Sequence, residues 1–210
     1  MTPARLILAS ASPQRRAILE QIGADFEVRV SHAAELEAGP PAEVVLENAY
    51  RKAAAVAATI PAARRANPRD PGARDPGPGD PVPLPVLGVD TVVSLGPRIL
   101  GKPRDAAHAA HMLAQLAGRR HIVYSGVCLI EGERTRTAAA QTGVEFRALD
   151  PPAIDAYVAT GEWRGRAGGY AIQGVGATLV TRIEGDYLSV VGLPVATLLD
   201  LAPWLGPGGV

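Results

Sequence analysis

One cysteine and two lysines are all that this chain of 210 residues carries of those two types. Cys128 standing alone excludes an intramolecular disulfide and any multi-cysteine zinc or iron–sulfur centre. Aromatic residues make up only 4% of the chain, too few for a platform on which nucleic-acid bases stack. Excess charge of either sign is missing as well: 21 basic side chains balance 21 acidic ones. That balance argues against a stable nucleic-acid partner or an anionic membrane surface, both of which call for basic excess. No apolar run approaches the ~20 residues of a membrane span. The opening Met1-Thr2-Pro3-Ala4-Arg5 leads into an apolar run too short and wrongly flanked for a signal peptide. These absences leave the expectation of a soluble, cytoplasmic, globular protein, long enough to bury a core.

What the chain has in abundance is arginine, 19 residues, and alanine, 37 residues. Such usage fits a GC-rich genome in which arginine replaces lysine wherever either serves. A lysine retained against that drift, Lys52 or Lys102, points to a need for a compact ammonium rather than a planar guanidinium. Chance survival is the competing explanation.

The order of elements predicts a mixed-sheet α/β fold with flanking helices. Residues 6–9 read as a short buried strand, and Ser12-Pro13 as a helix start running to Gly23. Residues 26–30 read as a strand and 42–59 as a helix with the apolar stripe Val45, Ala49, Ala53, Val56. Eight prolines and three glycines in residues 61–85 predict a disordered surface insertion within a single domain spanning 1–210. Beyond it, strands are expected at 86–93, 98–100, 121–130 and 142–149, and helices at 105–116 and 150–159. A hairpin of 177–183 with 187–191, turning about Glu184-Gly185-Asp186, precedes a last helix after Pro194.

Four stretches could carry chemistry. In Ser10-Ala11-Ser12-Pro13-Gln14-Arg15-Arg16 two hydroxyls lead into a helix whose first turn holds two arginines. Cations there oppose the helix dipole, and an anion bound between helix N–H groups and guanidinium groups would reverse the penalty. An ordinary cap with solvated arginines is the alternative. In Gly88-Val89-Asp90-Thr91-Val92-Val93 a carboxylate interrupts an apolar strand and must be paired, metal-bound or protonated. Period two puts Asp90 on one face with Val86, Gly88 and Val92, and Gly88 is expected to leave room beside the carboxylate. A functional acid and a structural ion pair both fit. Gly101-Lys102-Pro103 places one lysine beside a helix cap, while Lys52 falls on or beside the apolar stripe of its helix, where snorkelling to solvent is the alternative. Finally, the glycines and alanines of residues 166–176, around Tyr170 and Gln173, would let backbone approach a ligand. His108 and His111 lack a third metal ligand nearby, His121 is expected to bond locally, and Cys128 to be a buried, inert thiol.

Taken in order, Leu8-Ala9-Ser10-Ala11-Ser12-Pro13, Gly88-Val89-Asp90-Thr91, Gly101-Lys102-Pro103, Ala167-Gly168-Gly169-Tyr170-Ala171-Ile172-Gln173-Gly174, Glu184-Gly185-Asp186-Tyr187 and Val191-Gly192-Leu193-Pro194 resemble the Maf family over nearly the whole chain. That family is described as septum-formation inhibitors and as nucleoside triphosphate pyrophosphatases. The resemblance implies a fold similar to inosine triphosphatases, with two lobes around a cleft. It also implies cleavage of a nucleoside triphosphate to monophosphate and pyrophosphate with Mg²⁺ or Mn²⁺, and it suggests a homodimer. By position, Asp90 matches the catalytic acid, and Ser10, Arg15, Glu35, Lys52 and Lys102 match other polar residues of the cleft. Ser12 belongs to the same substrate-binding stretch, and Asp90 with Glu35 would hold the metal.

Three positions track base choice in that family, and here they are Gln14, Thr91 and Gln173. The last two match the dTTP/UTP type. Gln14 departs from an arginine, although Arg15 and Arg16 follow and either can supply the missing charge. Arg166 also stands where lysine is common. The expected activity is therefore hydrolysis of dTTP and UTP or modified pyrimidine relatives. Competing readings are a pyrophosphatase of the 7-methyl-GTP type and a nucleotide-binding regulator of cell division with little turnover.

Overall fold

The chain enters the core at once, because all three residues of β1 (Leu6–Leu8) are fully buried. α1 (Pro13–Gln21) starts where Ser12 Oγ accepts from the Arg15 N–H at 3.5 Å, and Pro13 supplies a preset φ to the first turn. β2 (Phe26–Val28) and α2 (Pro41–Ala57) follow, then β3 (Val86–Leu95), β4 (Arg98–Leu100) and α3 (Ala106–Leu116). The rest comprises β5 (Arg120–Glu131), β6 (Arg134–Phe146), α4 (Pro151–Thr160), β7 (Val180–Glu184), α5 (Tyr187–Val191) and α6 (Val195–Leu201). Short 3₁₀ turns occupy Ala167–Gly169, Gly174–Leu179 and Pro203–Leu205. The structure is a computed structural model that describes residues 6–60 and 84–206. The proline-rich stretch at 61–85 lies outside the described residues, apart from its last two positions.

Seven strands form one mixed sheet in the order β2-β1-β3-β5-β6-β7, with β4 on the far part of β3. β1 pairs in parallel with β2 and β3, and every later pairing is antiparallel. This is the mixed α/β architecture that the order of elements predicts. Two details differ. Residues 187–191 form α5 instead of a hairpin strand, because Asp186 Oδ1 accepts from the Leu188 N–H at 2.8 Å and caps a helix there. β6 also begins eight residues earlier than expected, because β5 pairs with it continuously from Glu131↔Arg134 to Arg120↔Glu145.

The two faces of β3 part as period two requires. Val86 packs with Ala49 and Ala53 of α2, and Val92 with Val44 and Val45, while Leu87 and Val89 join the core under α1 and α6. α2 lies unusually close to the sheet. A Cβ at Gly88 would sit 2.0 Å from the Ala49 carbonyl oxygen, and one at Gly126 on β5 would sit 2.4 Å from that of Val45. Gly88 therefore does not leave room beside Asp90. It is where the helix backbone rests on the strand, and that contact brings polar side chains of α2 down to the carboxylate.

The sheet has an opening where these faces meet. On its β1 side β3 is paired only at Val86 and Leu87, and β4 pairs with it only from Val93 onward. Residues 88–92 thus have a strand partner on the β5 side alone. The gap beyond the carboxyl end of β1 is the position at which open α/β sheets hold ligands.

Candidate active site

A cleft of about 420 Å³ occupies that gap. Its walls include Ser10, Ser12, Gln14, Arg15, Glu35, Lys52, Asp90, Thr91 and Lys102, so nine of the ten expected site residues come together. Its apolar lining includes Val93, Val123, Tyr170, Val190 and Val191. Gln173 is the exception. It is exposed, precedes the 3₁₀ turn Gly174–Leu179, and is absent from the lining. The backbone just after it is held by Glu162, whose carboxylate accepts from the Val175 and Gly176 N–H groups at 2.9 and 3.0 Å. The glycines of this stretch likewise serve packing, with Gly168 lying directly against Val93.

Asp90 is 4% exposed and fully engaged. Its Oδ1 accepts from Lys52 Nζ at 2.6 Å, and its Oδ2 from Asn48 Nδ2 at 2.9 Å. Lys52 also reaches Glu35 Oε1 at 3.1 Å, so one ammonium joins two carboxylates from separate elements. Lys52 is 8% exposed and points at the site instead of snorkelling outward. A buried pair of this kind is retained only where its geometry is good, because removing one partner strands a charge at a cost of about 3–5 kcal/mol.

Across the cleft, Arg15 is buried at the start of α1. Its Nε donates to the Gly192 carbonyl at 2.9 Å, Nη1 to Ser10 Oγ at 3.0 Å, and Nη2 to Thr91 Oγ1 at 3.4 Å. Burial lowers its pKa, and the charges of Asp90 and Glu35 oppose that effect. Thr91 in turn shares a 2.9 Å hydrogen bond with Ser125, whose hydroxyl donates to the Ser189 carbonyl at 2.9 Å. Arg15 and Ser125 thereby tie the turn after α5, and α5 itself, to the central strands. Arg16 does not join the site. It pairs with Glu20 at 2.7 Å on the solvent face of α1. Ser12 Oγ donates to Gln14 Oε1 at 3.2 Å. Lys102 lies exposed at the rim with no ion-pair partner among the described residues, and Arg164 and Arg166 also line the cleft.

Sequence reasoning missed Asn48, Ser125, Ser189 and the Gly192 carbonyl. Asn48 did leave a signal: it stands four residues before Lys52 and three after Val45, a polar side chain on the apolar stripe. Ser125 and Ser189 carry no local pattern, since their roles come from strand register and chain return, and Gly192 stood in the Val191-Gly192-Leu193-Pro194 block with no role attached. His121 was expected to bond locally. Instead its Nε2 meets the Tyr170 hydroxyl at 2.8 Å, and burial lowers its pKa to about 4. Cys128 is buried, and burial pushes its thiol up to about 12, in keeping with an inert side chain.

A mixed sheet with a buried acid held by a lysine and an asparagine at the mouth of its parallel strands defines the class: an α/β protein with a charged cleft at the end of β1. Within that class the chain belongs to the Maf-like protein family, whose pattern matches residues 5–203. It is 45% identical to a dTTP/UTP pyrophosphatase of Gloeobacter violaceus, with 94% of each chain covered. It is 43% identical to one of Bacillus cytotoxicus, covering 93% of this chain and 92% of the relative. A dTTP/UTP pyrophosphatase of Pyrococcus furiosus is 39% identical, covering 94% and 93% respectively.

Proposed function

We propose that this protein is a cytoplasmic nucleoside triphosphate pyrophosphatase acting on dTTP and UTP. The observation that carries the reading is the convergence of Asp90, Lys52 and Glu35 opposite Arg15 in one cleft. The family and the names of the similar enzymes support the same activity. No helix among the described residues is long and apolar enough to cross a membrane.

In the reaction, water adds to the α-phosphorus, the bond to the bridging oxygen breaks, and pyrophosphate leaves with the electron pair. Asp90, at the open edge of β3, takes the proton of the attacking water. Lys52, Arg15 and Lys102 oppose the charge that accumulates on the phosphoryl oxygens and on the leaving pyrophosphate. The apolar lining from Val93, Val123 and Tyr170 gives a pyrimidine ring a surface that excludes water.

A divalent cation fits these residues. Asp90 and Glu35 present carboxylates to the same small volume, since both reach one ammonium within 3.1 Å. Mg²⁺ and Mn²⁺ favour such oxygen donors, one or two carboxylates completed by phosphate oxygens and water. Two carboxylates leave the remaining positions of such a cation to phosphate oxygens and water. Bound there, it would polarise phosphoryl oxygens and acidify a water.

The test is pyrophosphate release from a panel of dTTP, UTP, CTP and 7-methyl-GTP, with and without Mg²⁺ or Mn²⁺. We expect cation-dependent turnover of dTTP and UTP. Asp90→Asn should stay folded and lose about 10²–10⁴-fold in rate, as the loss of a general base does. Near-normal release by the folded variant removes Asp90 from its role, and faster turnover of 7-methyl-GTP than of UTP overturns the substrate assignment.

A further inference from the structure

Asn48 is 1% exposed, lies on the inner face of α2, and is absent from the cleft lining. Its amide nevertheless touches both arms of the site, as the Lys52 ammonium does. Nδ2 donates to Asp90 Oδ2 at 2.9 Å and to the Leu36 carbonyl at 3.0 Å, while Oδ1 accepts from the Leu36 N–H at 2.7 Å. Both N–H groups are therefore used, and the Leu36 peptide is held on both sides, as a neighbouring strand would hold it. Leu36 adjoins Glu35, which sits on a segment without regular structure between β2 and α2. The Glu35 side chain is 40% exposed and has one further anchor, its ion pair with Lys52, while Arg51 Nη1 donates to the adjoining Ala34 carbonyl at 3.4 Å on the exposed side. A carboxylate so exposed on an irregular segment would otherwise sample many positions, and an ion pair of this kind does little to hold it.

The geometry points to Asn48 as a positioning residue that fixes Glu35 relative to Asp90. It does so by clamping the Leu36 peptide to the same amide that orients the Asp90 carboxylate. Only an amide of this length, offering two donors and an acceptor, performs all three tasks from one place on α2. Lys52 occupies Asp90 Oδ1 and Asn48 occupies Oδ2, so the carboxyl plane is set from two positions one helical turn apart. The inference rests on the pyrophosphatase reading for its kinetic consequence, but not for its structural one.

The experiment combines amide hydrogen exchange with kinetics on the full chain. In the unaltered protein the Leu36 N–H should exchange markedly more slowly than that of Glu37. Equal rates overturn the clamp whatever the variants do. Asn48→Leu removes all three bonds at similar volume, and Asn48→Ser keeps a donor near Asp90 but is too short to hold the Leu36 peptide on both sides. In both, Leu36 should lose its protection and kcat should fall about 10–100-fold, the usual effect of removing a residue that orients a ligating or catalytic group. KM for the nucleotide should stay within about threefold, because the residues that contact phosphate are untouched. Adding Glu35→Gln to Asn48→Ser should cost less than twofold more, as two changes acting through one group are not additive. A folded Asn48 variant with kcat within twofold of the unaltered enzyme, or a full multiplicative loss in the double variant, overturns the inference. If the unaltered protein releases no pyrophosphate from any nucleotide, the functional reading fails while the exchange measurement still decides the clamp.

Discussion

At the scale of single residues, the site is a matter of which cations are already committed. Arg15 has its Nε and both terminal nitrogens bonded, to Gly192, Ser10 and Thr91, and Arg16 is turned out to Glu20. Arg15 is fixed in place by these bonds with one N–H left on each terminal nitrogen, and Arg16 faces away from the cleft, so neither reproduces an arginine at position 14. Gln14 faces the cleft with an uncharged amide that bonds to Ser12 at 3.2 Å. An amide offers donor and acceptor alike and discriminates less sharply than a bidentate guanidinium. Phosphate binding should accordingly survive through Arg15, Lys52 and Lys102, while selection among pyrimidines is relaxed. Gln14→Arg should raise the preference for dTTP and UTP over CTP by roughly tenfold in kcat/KM, about 1–2 kcal/mol. Competition between UTP and CTP for a single enzyme preparation measures it. An unchanged ratio would show that position 14 does not read the substrate.

At the scale of elements, function depends on how near α2 lies to the sheet. The helix carries Asn48 and Lys52 to Asp90 only because Gly88 and Gly126 have no side chains beneath it. Gly88→Ala would put a Cβ 2.0 Å from a backbone oxygen that cannot swing aside, so the helix must lift. Overpacking of this kind costs about 1–3 kcal/mol, and for a chain this long each kcal/mol lowers Tm by roughly 2–4 °C. The same displacement should reduce kcat. Gly101→Ala is the control: nothing lies within 4 Å of its Cβ, and its Tm should be nearly unchanged. Calorimetry of the two variants checks the pair.

Much of this element structure was legible because the helices carry their own signals. Ser12, Asp105 and Asp150 are visible caps, and Val45, Ala49, Ala53 and Val56 are a visible stripe. The length of β6 was not legible, since Ala138, Ala139 and Ala140 have little strand preference and owe their state to β5 alongside. α5 was misread because Tyr187 to Val191 is rich in strand-favouring side chains and too short for a helical period to emerge. In the site, Asp90 stood out because a carboxylate clashes with an apolar strand, and the two lysines because they are so few beside 19 arginines. Gln173 was assigned from a glycine-rich stretch and from resemblance, and the path of the chain around Glu162 leaves it outside the cleft lining.

At the scale of the whole molecule, one buried histidine links the sheet to the C-terminal segments. His121 on β5 meets Phe146 of β6 edge to face at 5.0 Å and bonds to Tyr170, whose ring in turn meets Phe146 at 4.8 Å. Tyr170 is both a wall of the cleft and part of the core that contains Leu113, Ile154 and Trp163. Burial lowers the His121 pKa to about 4 from an ordinary 6.5, so the folded protein holds the ring neutral where the unfolded chain protonates it. Between those two values the unfolded state binds more protons, and stability must fall as pH falls. The contribution is complete above about pH 6.5 and lost by about pH 4, and its full size is about 3 kcal/mol. Tm should therefore decline across that window. His121→Gln keeps a neutral hydrogen-bonding side chain but does not titrate. Its Tm should start lower at pH 7 and show a shallower decline between pH 6.5 and 4. A variant whose Tm falls as steeply as that of the unaltered protein would show that other groups set the acid limit of this fold.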